Sequence, residues 1–251
     1  MDYTTLLLLL AAGFFGGAWN ALAGGATLLT FPMLIALGLR PEVANATNFL
    51  ALLPSNAAAL PAYRKELRGV GAAIYGIAFV TCLGGAAGSL LLIWSPSQTF
   101  SVLIPYLVLG ATLLFWFGAD VNRFLTERLP SGSLPGIVLI YALLFCFCIY
   151  GGYFGAGLGV ILLAVMTVIG FSEFHVANAL KNLLATLLTV VSIMIFGFGG
   201  LIAWPEACAM MTGSTAGGYL GARYGRTANP SLLRWLLITF GLALSAYYFV
   251  R

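Results

Sequence analysis

Charge is what this sequence has least of. Of its 251 residues, 11 are Lys or Arg, 7 are Asp or Glu and one is His, so only 7% are charged. A soluble domain carries about 25%. With 61% hydrophobic residues and a mean hydropathy of +1.03, the chain lacks the polar surface that a fold in water requires. Its length is better counted in bilayer crossings of about 20 residues each. The formal charge of +4 does not suggest nucleic-acid binding. The basic residues sit in short clusters between apolar runs, as the positive-inside rule expects. The opening Met1-Asp2-Tyr3-Thr4-Thr5 has no basic n-region, and the run after it is too long for a signal-peptide core, so it reads as a mature membrane segment.

Metal-binding and catalytic side chains are equally sparse. Cys82, Cys146, Cys148 and Cys208 all lie inside apolar segments. Cys146 and Cys148 fall on different faces of a helix with no His cluster nearby, so free thiols are expected and no metal or cofactor. His175 stands alone at a helix start beside Glu173, where a structural or solvated role is expected. No Asp or Glu lies inside an apolar block, since Glu42, Glu173 and Glu206 fall at block ends. A buried carboxylate relay is therefore not expected.

What is present is a series of apolar blocks cut by charge. Tyr3 to Leu39 is uncharged; Val43 to Tyr63 follows, closed by Arg64-Lys65-Glu66-Leu67-Arg68. Gly69 to Ala119 is broken by Ser95-Pro96-Ser97-Gln98. The polar stretch 120–134 precedes Pro135 to Ser172, Val176 to Trp204, Ala207 to Ala222 and Leu232 to Val250. Thr4 to Gly38 would make about 52 Å of helix, against a hydrocarbon core of about 30 Å. Its middle carries Ala23-Gly24-Gly25-Ala26, and the fifth block carries Gly151-Gly152 and Gly155-Ala156-Gly157-Leu158-Gly159. Both blocks predict a glycine-broken helix or a helical hairpin. The five tryptophans, Trp19, Trp94, Trp116, Trp204 and Trp235, lie near span ends and read as interfacial anchors.

The two halves repeat at an offset of 133. Gly24 pairs with Gly157, Met33 with Met166, and Ala44-Asn45-Ala46 with Ala177-Asn178-Ala179; Gly84, Gly85 and Gly88 pair with Gly217, Gly218 and Gly221. The organisation expected is a first membrane repeat over 1–119, a cytoplasmic linker over 120–134 and a second repeat over 135–251. If each long block crosses once, the loop and terminal basic residues split six against four. If each is a hairpin, Arg64, Lys65, Arg68, Arg123, Arg128, Arg223, Arg226 and Arg234 share one side and Arg40 and Arg251 the other. Eight against two fits the positive-inside rule better. The expected fold class is thus an all-α integral membrane protein of two homologous, inverted repeats. Each would hold a glycine-broken helix or hairpin plus three transmembrane helices. The second arms, Thr27 to Leu37 and Val160 to Gly170, are short enough to be half-helices.

Broken helices in inverted repeats hold substrate near the midplane, and the unusual polar residues follow the breaks. Asn45, Asn48, Leu52 and Ser55/Asn56 share one helical face, with Thr47 beside them; Asn178, Lys181/Asn182, Ala185 and Thr189 make the second copy. Lys181 is the one basic residue well inside an apolar block. It reads either as a snorkelling side chain or as an anion-attracting charge flanked by amides. Asn45 and Asn48 read either as interhelical hydrogen-bonding or capping groups or as substrate ligands. Gly24, Gly25, Gly157 and Gly159 are the expected breaks near this site.

The runs Ala23-Gly24-Gly25-Ala26-Thr27, Phe31-Pro32-Met33-Leu34, Ala44-Asn45-Ala46-Thr47-Asn48, Gly155-Ala156-Gly157-Leu158-Gly159 and Asn178-Ala179-Leu180-Lys181-Asn182 resemble the sulfite exporter TauE/SafE family of bacterial membrane transporters over nearly the whole chain. Ala26 stands where that family usually has a third consecutive glycine. The resemblance implies a secondary transporter that exports or takes up a small anion such as sulfite or an organosulfonate; an interior-negative potential, worth about 2.3 kcal/mol per charge per 100 mV, favours export. It implies a multi-pass protein of the bacterial cytoplasmic (inner) membrane. The expected partners are a small anionic substrate and the lipid bilayer, with a homodimer left open. An anion channel of the same fold is the first rival. An intramembrane enzyme pairing Ser214 with His175 is a weaker one, since Ser between small residues in a span reads as a helix-packing surface; no enzymatic activity is expected.

Overall fold

The computed structural model describes residues 2–22, 25–57, 60–128, 134–171, 173–224 and 230–250. All regular structure among them is helical: α1 (Tyr3–Leu22), α2 (Thr27–Ala36), α3 (Pro41–Ala57), a 3-10 turn (Leu60–Tyr63), α4 (Arg64–Arg68), α5 (Ala73–Trp94), α6 (Ser97–Arg128), α7 (Leu134–Tyr153), α8 (Leu158–Ile169), α9 (Phe174–Phe198), α10 (Trp204–Tyr224) and α11 (Pro230–Val250). Five of these are long and apolar enough to cross a membrane: Tyr3–Asn20, Ile74–Trp94, Ser97–Gly118, Gly136–Tyr153 and His175–Phe198. Both long blocks are broken, α1 from α2 and α7 from α8, and the second arms have 10 and 12 residues. Helix starts recur at the sequence offset: Pro41 and Phe174 open α3 and α9, and Ser97 and Pro230 open α6 and α11. The expected linker is helical through Arg128, because nothing from Ala119 to Leu129 breaks a helix. Residues 129–133 lie outside the described residues.

Glycine decides how closely these helices approach. A side chain at Gly217 would strike the Phe14 carbonyl, one at Gly213 the Leu10 carbonyl, and one at Gly17 the Ser214 carbonyl. The pair α5 and α7 repeats the device, with Gly88 against Ile149 and Gly84 against Phe145 and Cys148. In lipid there is little hydrophobic drive between helices, so small residues at such seams supply van der Waals contact. The core between the seams is aromatic. Phe31 meets Phe154 edge-on at 5.3 Å, Phe49 meets Phe196 at 5.4 Å, and Phe100 meets Tyr153 at 5.5 Å, the arrangement aromatic quadrupoles prefer.

The pairings fix relative direction. Leu10, Phe14 and Ala18 meet Gly213, Gly217 and Gly221, so α1 and α10 run parallel. Ala51 and Ser55 meet Ser214 and Gly218, so α3 runs with them. By the same reading α5 runs parallel to α7, and also to α9 through Gly85–Leu188 and Ile93–Gly199. The pair α3 and α9 is antiparallel: Thr47 meets Ala203, Phe49 meets Phe196, and Tyr63 meets Asn178. The pair α6 and α11 is antiparallel too, with Pro105 by Ser245, Thr112 by Gly241 and Trp116 by Trp235.

Candidate functional site

The two breaks are built on left-handed glycines. Gly25 has φ +79°, Gly155 +79° and Gly157 +78°, a region that costs an L-residue about 1–2 kcal/mol. Gly24 lies outside the described residues. Gly159 is not part of the break: it sits in the first turn of α8, and the reversal is completed by Gly157 as the residue before that helix. Both breaks approach one turn of α6. A side chain at Gly25 would stand 2.5 Å from the Phe115 ring, and one at Gly157 would stand 3.6 Å from Ala111 Cα. Ala111 and Phe115, four residues apart, share a helical face.

The first-half amides tie these breaks together. Asn48 Nδ2 donates to Thr27 Oγ1 at 3.3 Å, and Thr30 Oγ1 donates to Asn48 Oδ1 at 2.5 Å. Both threonines lie on α2, just past the first break. Asn45, one turn earlier on α3, donates through Nδ2 to the Tyr153 carbonyl at 2.9 Å, where α7 ends at the second break. Asn45, Thr47 and Asn48 are all buried. Thr47 Oγ1 accepts the Ala203 N–H at 3.0 Å in the turn before α10. At the other end of α3, Asn20 Nδ2 donates to Ser55 Oγ and Asn56 Oδ1, each at 2.9 Å.

The second-half motif is looser. Asn178 Nδ2 donates to Tyr63 Oη at 2.7 Å. Asn182 has no side-chain hydrogen bond among the described residues, and Lys181 has neither a hydrogen bond nor an ion pair there. The Lys181 stem passes over Gly159: a side chain at Gly159 would stand 3.7 Å from Lys181 Cδ. Gly159 belongs to the first turn of α8, where Leu158 N–H donates to the Gly155 carbonyl and Val160 and Ile161 N–H to the Gly157 carbonyl, and where the helix dipole favours anions. The protein therefore places a lysine stem with no partner among the described residues beside the positive end of a half-helix.

The two motifs do not form one cluster. Phe196, the α9 residue that meets Phe49, lies about 22 Å of helix rise from Lys181. Asn45 and Asn48 hold the breaks together, whereas Asn178, Lys181 and Asn182 lie toward the α4 end of the molecule. The link between them is the second break, held by Asn45 at Tyr153 and leading into the first turn of α8, where Gly159 lies under the Lys181 stem.

Sequence reasoning missed the partners. Thr27 and Thr30 were legible as polar residues directly after a glycine break, but Tyr63, Tyr153 and Asn20 gave no pattern. It also placed Glu42 at a block end, whereas the fold buries it to 5% exposure. Ser97 Oγ donates to Glu42 Oε1 at 2.8 Å, and Arg40 pairs with the same oxygen at 3.3 Å. Ser214 donates to the Ala51 and Met211 carbonyls, which uses its hydroxyl in packing α10 on α3. The four cysteines are free, Cys148 buried and Cys146 exposed. Among the described residues no three His, Cys, Asp or Glu side chains gather as a metal site.

The chain matches the family "Sulfite exporter TauE/SafE" over residues 9–248. It is 31% identical over 243 residues to a "Probable membrane transporter protein" of Haemophilus influenzae, covering 96% of this chain and 93% of that one. It is 29% identical over 245 residues to the "Probable membrane transporter protein YfcA" of Escherichia coli K12, covering 95% and 89%. It is 25% identical over 246 residues to the "Probable membrane transporter protein ORF9" of a Sinorhizobium species, covering 98% and 92%. No solved structure matches. With a match of this extent and several apolar helices of spanning length, the chain belongs to the TauE/SafE family and is a multi-pass membrane transporter.

Proposed function

We propose that the protein is a secondary transporter that exports a small anion, sulfite or an organosulfonate, across the bacterial cytoplasmic membrane. The observation that carries this reading is Lys181. Its stem lies against the first turn of α8 with no partner among the described residues, so it offers charge at the positive end of that helix's dipole, where the Gly159 N–H has no backbone acceptor among the described residues. Lysine acts as a compact point charge without the fork of arginine, which suits a small hydrated headgroup. Asn178 and Asn182 flank it, while Asn45 holds the second break ahead of α8, Asn48 ties α3 to α2 past the first break, and Thr47 ties α3 to the turn before α10. An interior-negative potential favours anion exit by about 2.3 kcal/mol per charge per 100 mV.

An inverted arrangement of the two halves is part of this proposal. Two facts support it: α3 and α9 are antiparallel, and so are α6 and α11, the repeat-related pairs. Charge supports it as well. The α4 cluster Arg64, Lys65 and Arg68 follows the end of α3, and α10 runs parallel to α3 and ends at Arg223. Ser97 at the start of α6 meets Glu42 at the start of α3, so α6 runs toward the α4 side and carries Arg123 there. Arg234 lies near the start of antiparallel α11, on that same side. Arg40 opens α3 at the opposite end. A positive-inside topology puts the α4 side in the cytoplasm.

The test is a thermal-shift screen of the purified protein against sulfite, sulfonates, sulfate and thiosulfate. Stabilisation by sulfite or a sulfonate, lost in Lys181→Met, is the expected result. No stabilisation by any of the four, or equal stabilisation in the variant, would overturn the reading.

A further inference from the structure

Two buried acceptor oxygens on one face of α3 have no donor among the described residues: Glu42 Oε2 and Asn45 Oδ1. The amide orientation of Asn45 is fixed by chemistry, because its other end faces the Tyr153 carbonyl, which can only accept. Glu42 and Asn45 are three residues apart, so their side chains are neighbours on the helix surface. The Glu42 side chain is 6% exposed, and Ser97 and Arg40 both address its other oxygen, Oε1. Buried acceptors without donors are costly, and a single proton on Glu42 would satisfy both at once.

We propose that Glu42 binds a proton whose uptake is coupled to anion movement, with Asn45 as the positioning residue that links it to the second break. The carboxylate takes the proton at Oε2 from the aqueous face where Arg40 lies 69% exposed. The new O–H donates to Asn45 Oδ1, Oε1 keeps the Ser97 hydroxyl, and the Arg40 guanidinium returns to water. Asn45 Nδ2 holds the Tyr153 carbonyl, two residues before the left-handed Gly155. From there the chain passes through Gly157 into the α8 turn beside Lys181. Protonation at one end of α3 is thereby felt at the proposed anion site, and the coupling rests on that reading of Lys181.

Few other titratable groups stand at this end. Arg40 is the only ion partner of Glu42 among the described residues. Helix α2, helix α8 and the part of α9 beyond Asn182 contain no titratable residue, and α6 brings none before Tyr106. Helix α7 ends in Tyr153, whose phenol donates to Ser95 Oγ at 3.4 Å. Helix α10 opens near Glu206, and α1 near Asp2 and Tyr3.

The test uses the full chain in lipid vesicles, with infrared difference spectroscopy across a pH titration and efflux of methanesulfonate, which stays ionised throughout. The wild type should show a protonated-carboxyl band that Glu42→Gln removes. Acidifying the outer, Arg40-bearing face should speed efflux severalfold in the wild type and not in Glu42→Gln. The proposal is overturned if the wild type has no such band, if the band survives in Glu42→Gln, or if a sodium gradient replaces the proton gradient. If methanesulfonate does not move at all, the substrate reading fails, and the infrared band alone still decides whether Glu42 takes the proton.

Discussion

Replacing Lys181 by Met keeps most of the stem that lies over Gly159 and removes only the ammonium. The side chain has no partner among the described residues, so no internal hydrogen bond or ion pair is broken, and the stability of the substrate-free protein should change little. What is lost is one charge-assisted hydrogen bond to the anion, about 1.5–3 kcal/mol. Each 1.4 kcal/mol is tenfold in affinity, so binding should weaken by roughly tenfold to a hundredfold. The α8 N-terminus remains and retains a contribution of about 0.3–1 kcal/mol, so binding should be weakened rather than abolished. Lys181→Arg should restore part of the loss, since the charge returns with a different shape. Titrating sulfite and a sulfonate against each purified variant, with the melting temperature of the ligand-free protein as control, measures this. An unchanged apparent affinity in Lys181→Met would refute the reasoning and leave Lys181 as a side chain that reaches for the interface.

Three further outcomes follow from the packing and the helix directions. In a cysteine-free background, cysteines at Arg68 and Arg223 should react with an impermeant reagent only from the cytoplasmic side, and one at Arg40 only from outside; labelling of position 223 from outside would break the inverted arrangement. Gly217→Val should lower thermal stability sharply and reduce folded protein, because its side chain would strike the Phe14 carbonyl on α1. Gly157→Val has space, its nearest neighbours standing at 3.6 Å, but forces a left-handed backbone on a branched residue; transport should fall more than expression, and equal loss of both would count against a role in the break.

Much of this fold was legible because its signals are local. Charge scarcity gave the membrane class, block length and glycine gave the two breaks, and the 133-residue offset recurs in the starts of α3 and α9 and of α6 and α11. Asn45, Asn48, Leu52 and Ser55 are buried, but so are Ala44, Ala46, Thr47 and Phe49 between them, so burial does not single out one face of α3. The rest was illegible because it depends on pairing across the chain. No periodicity reveals that Asn45 reaches Tyr153, or that Asn178 reaches Tyr63. Glu42 looked terminal in sequence because it follows Arg40-Pro41, yet Ser97 on α6 covers it. Polar residues from Asp120 onward mark the end of an apolar span but not the end of a helix, and α6 runs on to Arg128.

The most direct measurement of the central claim is counterflow in vesicles holding the purified protein. Labelled sulfite or a sulfonate should enter saturably, faster when unlabelled anion is loaded on the far side, and Lys181→Met should need a roughly tenfold to hundredfold higher concentration for half-maximal rate. Flux that rises linearly with concentration and ignores the trans anion would make the protein a channel. Absence of flux for both anions would contradict the proposed substrate class.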